Sequence, residues 1–175
     1  MYFHEPTYEL DELARYNFHI HTNFSNCAKA EMNLVDIIAA DEAAELKIIA
    51  LTDHFNNDNT NKECLERNRY LREEAQKTGT QLKILFGGEL SGYAPGKSLE
   101  NEEVRLALDY NLFSCNHYHL DFWGQPDDKS ARGYAEYSIA VIGSQIISGK
   151  ADCVAHPFIG RFIRAFDDKT VLQKN

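Results

Sequence analysis

The sequence predicts an α/β fold in which parallel strands alternate with helices and curve into a barrel. Five short apolar runs alternate with helical patterns, and no hairpin signal separates them, which implies parallel strands joined by right-handed crossovers. That alternation alone fits either a barrel or an open doubly wound sheet, and there is no Gly-x-Gly-x-x-Gly or Walker loop to support nucleotide binding. The position of the ionisable residues decides for the barrel. Each of the five runs finishes in one or more of them, and a barrel of parallel strands opens all its carboxyl ends on one face.

Residues 1–15 read as a polar lead-in, with His4 as a surface residue. A strand over 17–21 follows, where alternation places His19 and His21 on one face about 6–7 Å apart. Phe18 and Ile20 would then share the opposite face, as on a strand covered outside by helices. After a small, polar loop over 22–29, residues 32–46 form a helix with Leu34, Ile37 and Ile38 in its apolar stripe. The apolar run 47–52 suits a strand covered on both faces and ends in Asp53-His54. A polar loop leads to a helix over 62–77, stopped by Gly79. The strand 81–87 ends in Gly88-Glu89, a helix spans 101–109, and the strand 111–115 runs into Asn116-His117-Tyr118-His119. A polar loop over 121–130, a helix over 134–147 and a strand over 152–155 running into His156-Pro157 complete the alternation.

At 175 residues and 43% hydrophobic, the chain suits a single domain over 1–175. A net charge of -9 argues against a nucleic-acid partner, whose phosphates are held by clustered Lys and Arg. It fits either an acidic surface or carboxylates that hold cations. Cys27, Cys64, Cys115 and Cys153 form no Cys-x-x-Cys pair, so reduced thiols in a cytoplasm are expected. The N-terminus has no basic and apolar leader, and no apolar run approaches the ~18 residues of a membrane span.

The strand ends collect His19/His21, Asp53/His54, Glu89, His117/His119 and His156. A single histidine at a strand end is commonly a hydrogen-bonded core residue. Five consecutive strands repeating the pattern point instead to one pocket of metal ligands.

His19-Ile-His21-Thr, Leu51-Thr-Asp-His54, Gly88-Glu89, Cys115-Asn-His117 and Ala155-His156-Pro157 resemble, in order and spacing, the motifs of the polymerase and histidinol phosphatase (PHP) family. The resemblance covers about residues 17–160. It implies a distorted parallel (β/α)7-type barrel with two or three divalent metal ions (Zn, Mn or Fe) that hydrolyses phosphoesters. His19 and His21 would bind one metal, and Glu89 would bridge it to a second held by His117 and His156. A carboxylate has two oxygens and can span two cations, whereas a neutral imidazole offers one lone pair. His54 would serve a third metal, and the chemistry would fall to Glu89, His54 and Asp53. Asp53 either orients a ligand imidazole from behind or caps a helix.

The chain departs from the family pattern in two places. Ser25-Asn26-Cys27 stands where the family supplies an Asp or His to the third metal, which makes Cys27 a soft candidate ligand. The terminal Asp-x-His motif is absent, so the barrel is expected to be incomplete at its C-terminus, with an exposed sheet edge through which copies could associate. His119 and Arg161 are the candidate substrate contacts. Arg161, like Arg164, could grip a phosphate, and a solvent-exposed helix arginine is the competing reading.

The expected activity is hydrolysis of a small phosphomonoester, histidinol phosphate or a related metabolite, by water activated between the metals. One alternative is an amidohydrolase-like enzyme, which would carry a bridging lysine where Glu89 stands. The other is an inactive metal-binding or regulatory fragment.

Overall fold

The computed structural model describes residues 9–56, 60–157 and 163. A one-turn helix α1 (Leu10–Leu13) lies within the predicted lead-in, and β1 (Tyr16–Ile20) follows it. Helix α2 (Leu34–Ala43) starts where the Asn33 side chain accepts from Asp36 N, so an orphan backbone donor of the first turn is satisfied. Strands β2 (Ile48–Leu51) and β3 (His54–Phe55) lead to α3 (Asn61–Thr78). A reciprocal Thr60–Glu63 capping box opens α3, and Gly79 closes it at φ 70°, a left-handed geometry that suits a residue without Cβ. Then come β4 (Lys83–Phe86), β5 (Gly88–Ser91), α4 (Glu102–Ala107), β6 (Asn111–Ser114), α5 (Ala131–Ile147) and β7 (Cys153–Ala155). Helix α5 begins earlier than the apolar pattern predicts, because Ser130 Oγ caps Gly133 N.

All strand pairs are parallel, in the orders β1-β2-β4 and β3-β5-β6-β7. Gly87 N donates to Leu51 O (2.9 Å) and Glu89 N to Asp53 O (3.1 Å), so hydrogen bonds cross the breaks between β2 and β3 and between β4 and β5. The two breaks are bends in two continuous passes of chain. Five passes therefore lie side by side in sequence order, without the reversal that defines a doubly wound sheet. In a flat sheet the outer two passes would stand about 19 Å apart, at ~4.8 Å per strand. Instead the rings of His19, on the first pass, and His156, just past the last, are 5.7 Å apart. The sheet curls, and its carboxyl ends converge.

Two sequence expectations fail locally. His54 and Glu89 do not follow strand ends; they lie inside β3 and β5, opposite each other in register. The second bend depends on Gly87, where a Cβ would sit 2.4 Å from Tyr110 O. In β1, the partners Asn17↔Ile49 and Ile20↔Leu51 set three steps against two, a bulge that breaks strict alternation. Ile20 packs under α2 with Leu34, Ile37 and Ile38 as expected. Phe18 does not share that cover: it is 38% exposed, stacked on Tyr16 at 5.9 Å and tilted against Tyr110 at 5.6 Å.

One apolar cluster joins β1, β2 and β4 to α2 and α3, and a second joins β3, β5 and β6 to α4 and α5. Ile49, Phe55, Leu90, Phe113 and Val141 are almost wholly buried, each worth about 1.5–3 kcal/mol relative to exposure. These clusters fix the strands whose carboxyl ends carry the polar residues. Among the described residues no helix is long and apolar enough to cross a membrane.

Candidate metal centre

Glu89 is 1% exposed in the middle of β5, and the strand ends converge on its carboxylate. Oε2 faces His19 Nε2 at 3.3 Å, His21 Nε2 at 3.1 Å and His54 Nδ1 at 3.1 Å. Oε1 faces His156 Nε2 at 3.1 Å and His117 Nε2 at 3.7 Å. Each oxygen thus has its own set of imidazoles. Three triads bring their donor atoms within 4.8 Å of one another: His19/His21/Glu89, His54/Glu89/His117 and His21/Cys27/His54. Ligands about 2.0–2.2 Å from one ion lie roughly 3–4 Å apart, so these spacings suit divalent cations. His54 belongs to two triads, one with Glu89 and His117, the other with Cys27.

The loop after β1 is tied down by Asp53, itself 1% exposed. Its carboxylate accepts from Thr22 N (2.8 Å), Thr22 Oγ1 (2.6 Å) and Ser25 Oγ (2.7 Å). In the hydrogen bonds described, Asp53 neither contacts an imidazole directly nor caps a helix. Its link to the site runs through Ser25, because a hydroxyl that donates to Asp53 has only lone pairs left. Ser25 Oγ accepts from His54 N (3.1 Å) and faces His21 Nδ1 (3.3 Å), which assigns the His21 proton to Nδ1. The other ring nitrogen then meets Glu89 Oε2 with a lone pair, so the contact calls for a second proton or a cation between them. That chemistry fits a metal. Arg67, from α3, braces the same corner by donating to the backbone oxygens of Asp53 and His54.

On the opposite side, Asn116 Nδ2 donates to His156 O (2.7 Å), and His156 Nδ1 lies 3.1 Å from Asn116 Oδ1. His117 packs on Trp123, ring centroids 5.4 Å apart, and the indole is 2% exposed. Thr22, Ser25 and Asn116 stand in the motif segments read from the sequence but receive no role of their own there, and Trp123 is not singled out at all. Asn116 is adjacent to a histidine already chosen, but nothing in the spacing marks it.

A cavity of about 580 Å³ opens over the cluster, and Asn26, Cys27, Asn56 and His119 line it together with the imidazoles. Cys27 Sγ lies 3.7 Å from His21 Nδ1. The His119 ring centroid is 5.5 Å from that of His117, on the cavity wall. Arg161, Arg164 and His4 lie outside the described residues.

Burial pushes the Glu89 carboxyl up, but the imidazoles of His156, His19, His21 and His54 gathered on its two oxygens outweigh it and hold the group far below the usual carboxylate range. Burial lowers the His117 imidazole to about 3, so its ring is neutral at neutral pH. Burial also raises the Cys27 thiol.

A pH dependence follows for metal-free protein. The unfolded chain takes up a proton on His117 from about pH 6.5 downward and the folded chain does not, so this stability is present above 6.5 and lost as pH falls toward 3. Glu89 acts in the same direction, below the usual carboxylate range. Chelator-treated protein should lose about 2 kcal/mol between pH 6.5 and 5. That corresponds to a fall in Tm of about 4–8 °C. A Tm unchanged across that interval would contradict a neutral, buried His117.

The family model of the PHP domain matches residues 17–168, from β1 through all five passes. No curated protein matches the chain.

Proposed function

The chain belongs to the PHP domain family, whose members are generally metal-dependent hydrolases, and from that premise we propose that it is a phosphoesterase acting on a small phosphomonoester of the histidinol-phosphate type. The observation that carries the reading is the two-sided Glu89 carboxylate, with three imidazoles on Oε2 and two on Oε1. Two or three divalent ions (Zn, Mn or Fe) bound there would act as Lewis acids on phosphoryl oxygens and lower the pKa of a bound water. His19 and His21 would hold one ion and His117 and His156 another, with Glu89 shared; His54 and Cys27 would serve a third. Neutral imidazoles leave the centre with net positive charge once loaded, which suits a phosphate dianion. His119, which lines the cavity, would hydrogen-bond the substrate.

The curl that brings the first and last passes together supports a sheet of the distorted (β/α)7-barrel type. The four free cysteines accord with a reducing, cytoplasmic setting. An amidohydrolase-like centre would place a lysine where Glu89 lies, and among the described residues no lysine lines the cavity over the cluster.

Protein expressed with Zn, Mn or Fe should retain at least one and generally two ions per chain, and should release phosphate from a panel of small phosphomonoesters. Metal analysis giving less than ~0.2 ion per chain would sink the reading, because such donor sets normally retain these ions. Full metal content with no hydrolysis across the panel would point to the non-catalytic alternative.

A further inference from the structure

From these contacts we infer that Asn116 is a positioning residue: it fixes His156 in the Nδ1–H tautomer and turns the Nε2 lone pair toward the Oε1 side of Glu89. Asn116 is 1% exposed, two residues past the end of β6, and grips His156 twice. The side-chain NH2 donates to the His156 carbonyl at 2.7 Å, which fixes the orientation of the amide. Its oxygen, a pure acceptor, therefore faces His156 Nδ1 at 3.1 Å, and the ring proton must sit on Nδ1. Nε2 is left to act at the centre, 3.1 Å from Glu89 Oε1, a contact that calls for a cation or a second proton between them.

The double grip also accounts for an unusual backbone. His156 has φ 32°, in the left-handed region that a residue with a Cβ enters at a cost. A bond to its carbonyl from a buried side chain holds it there. One side chain thereby sets both the backbone and the ring of a candidate ligand on the last pass of the sheet. Ser25 gives His21 an analogous ring contact, but at 3.3 Å and without a grip on that residue's backbone. The metal role of His156 rests on the function proposed above; the tautomer does not.

The test uses metal-free full-length protein at about pH 8 and assigns ring tautomers by long-range 15N–1H correlation. His156 should show Nδ1–H in the parent and lose that preference in Asn116→Ala. Asn116→Asp retains an acceptor for the ring while losing the carbonyl donor, and should keep Nδ1–H. Titration with Zn2+ should then show one equivalent bound about 10–100-fold more weakly in Asn116→Ala, and largely restored in Asn116→Asp.

A parent His156 in the Nε2–H form, or a tautomer indifferent to Asn116→Ala, would overturn the inference whatever the protein hydrolyses. If Asn116→Ala fails to fold, the parent spectrum and Asn116→Asp decide. An Asp variant that loses Nδ1–H would count against the inference. A parent with the expected tautomer that binds no Zn2+ would support the positioning claim and instead sink the phosphoesterase reading.

Discussion

Glu89→Gln is expected to lower phosphomonoester hydrolysis by at least about 10²-fold and to reduce metal content on both sides of the centre. Losing even an outer partner of a metal ligand typically costs 10–100-fold, and Glu89 faces the proposed ligands of two ions at once. The amide substitutes one carbonyl oxygen and one NH2 for two anionic oxygens. Whichever way it turns, one imidazole set faces an NH2, which cannot ligate a cation. The set on Oε2, His19, His21 and His54, and the pair on Oε1, His117 and His156, cannot both be served. His119→Ala provides the contrast. That ring lines the cavity, whereas His117 is the one that reaches Glu89, so its loss should cost about tenfold or less. Hydrolysis and metal content measured side by side decide the matter. If His119→Ala proves the more damaging, the assignment of His117 as the ligand after β6 is wrong.

The parts of the site legible in the sequence are those set by strand order. His19, His21, His54, Glu89, His117 and His156 each occur at a strand's carboxyl end or one bend beyond it, and parallel passes in sequence order carry such positions to one place. The β1 bulge was not legible, because alternation of Phe18, His19 and Ile20 looks the same whether or not a residue is inserted opposite β2. Nor was the division of two passes at Thr52-Asp53 and Gly87. The close approach of Tyr110 to Gly87 is a tertiary fact that no local pattern encodes.

Supporting residues are harder still to find. Ser25 and Asn116 act through hydrogen bonds to partners 28 and 40 positions away, Asp53 and His156 respectively, and Ser and Asn are ordinary loop residues. Asp53 drew notice from its place beside His54, yet its oxygens go to the loop after β1. The direction of a side chain at a bend in a strand decides such roles, and the sequence alone leaves it open.

That direction makes Asp53→Ala the second large effect. Thr22, Ser25 and Asp53 are all at least 96% buried, being 0%, 4% and 1% exposed. Removing the carboxylate strands two hydroxyl donors and one backbone N–H in a place water does not reach, at about 1–3 kcal/mol each. Relaxation of the loop recovers part of this, leaving a loss of about 3–5 kcal/mol, or a fall in Tm of about 10 °C or more. Asp53→Asn keeps one acceptor oxygen but brings an NH2 against Thr22 or Ser25, so it should fall between the parent and the alanine variant. The site should suffer along with the fold. Without Asp53, Ser25 Oγ is free to rotate, and His21 Nδ1 loses the acceptor that fixes its proton. Metal affinity should drop by about 10–100-fold, the usual cost of losing such a partner. Thermal melts of chelated protein isolate the first effect, and Zn2+ titration well below the melting range isolates the second. A Tm within about 3 °C of the parent would mean that the loop after β1 is held by something other than this carboxylate. Unchanged Zn2+ binding would mean that His21 is oriented without it.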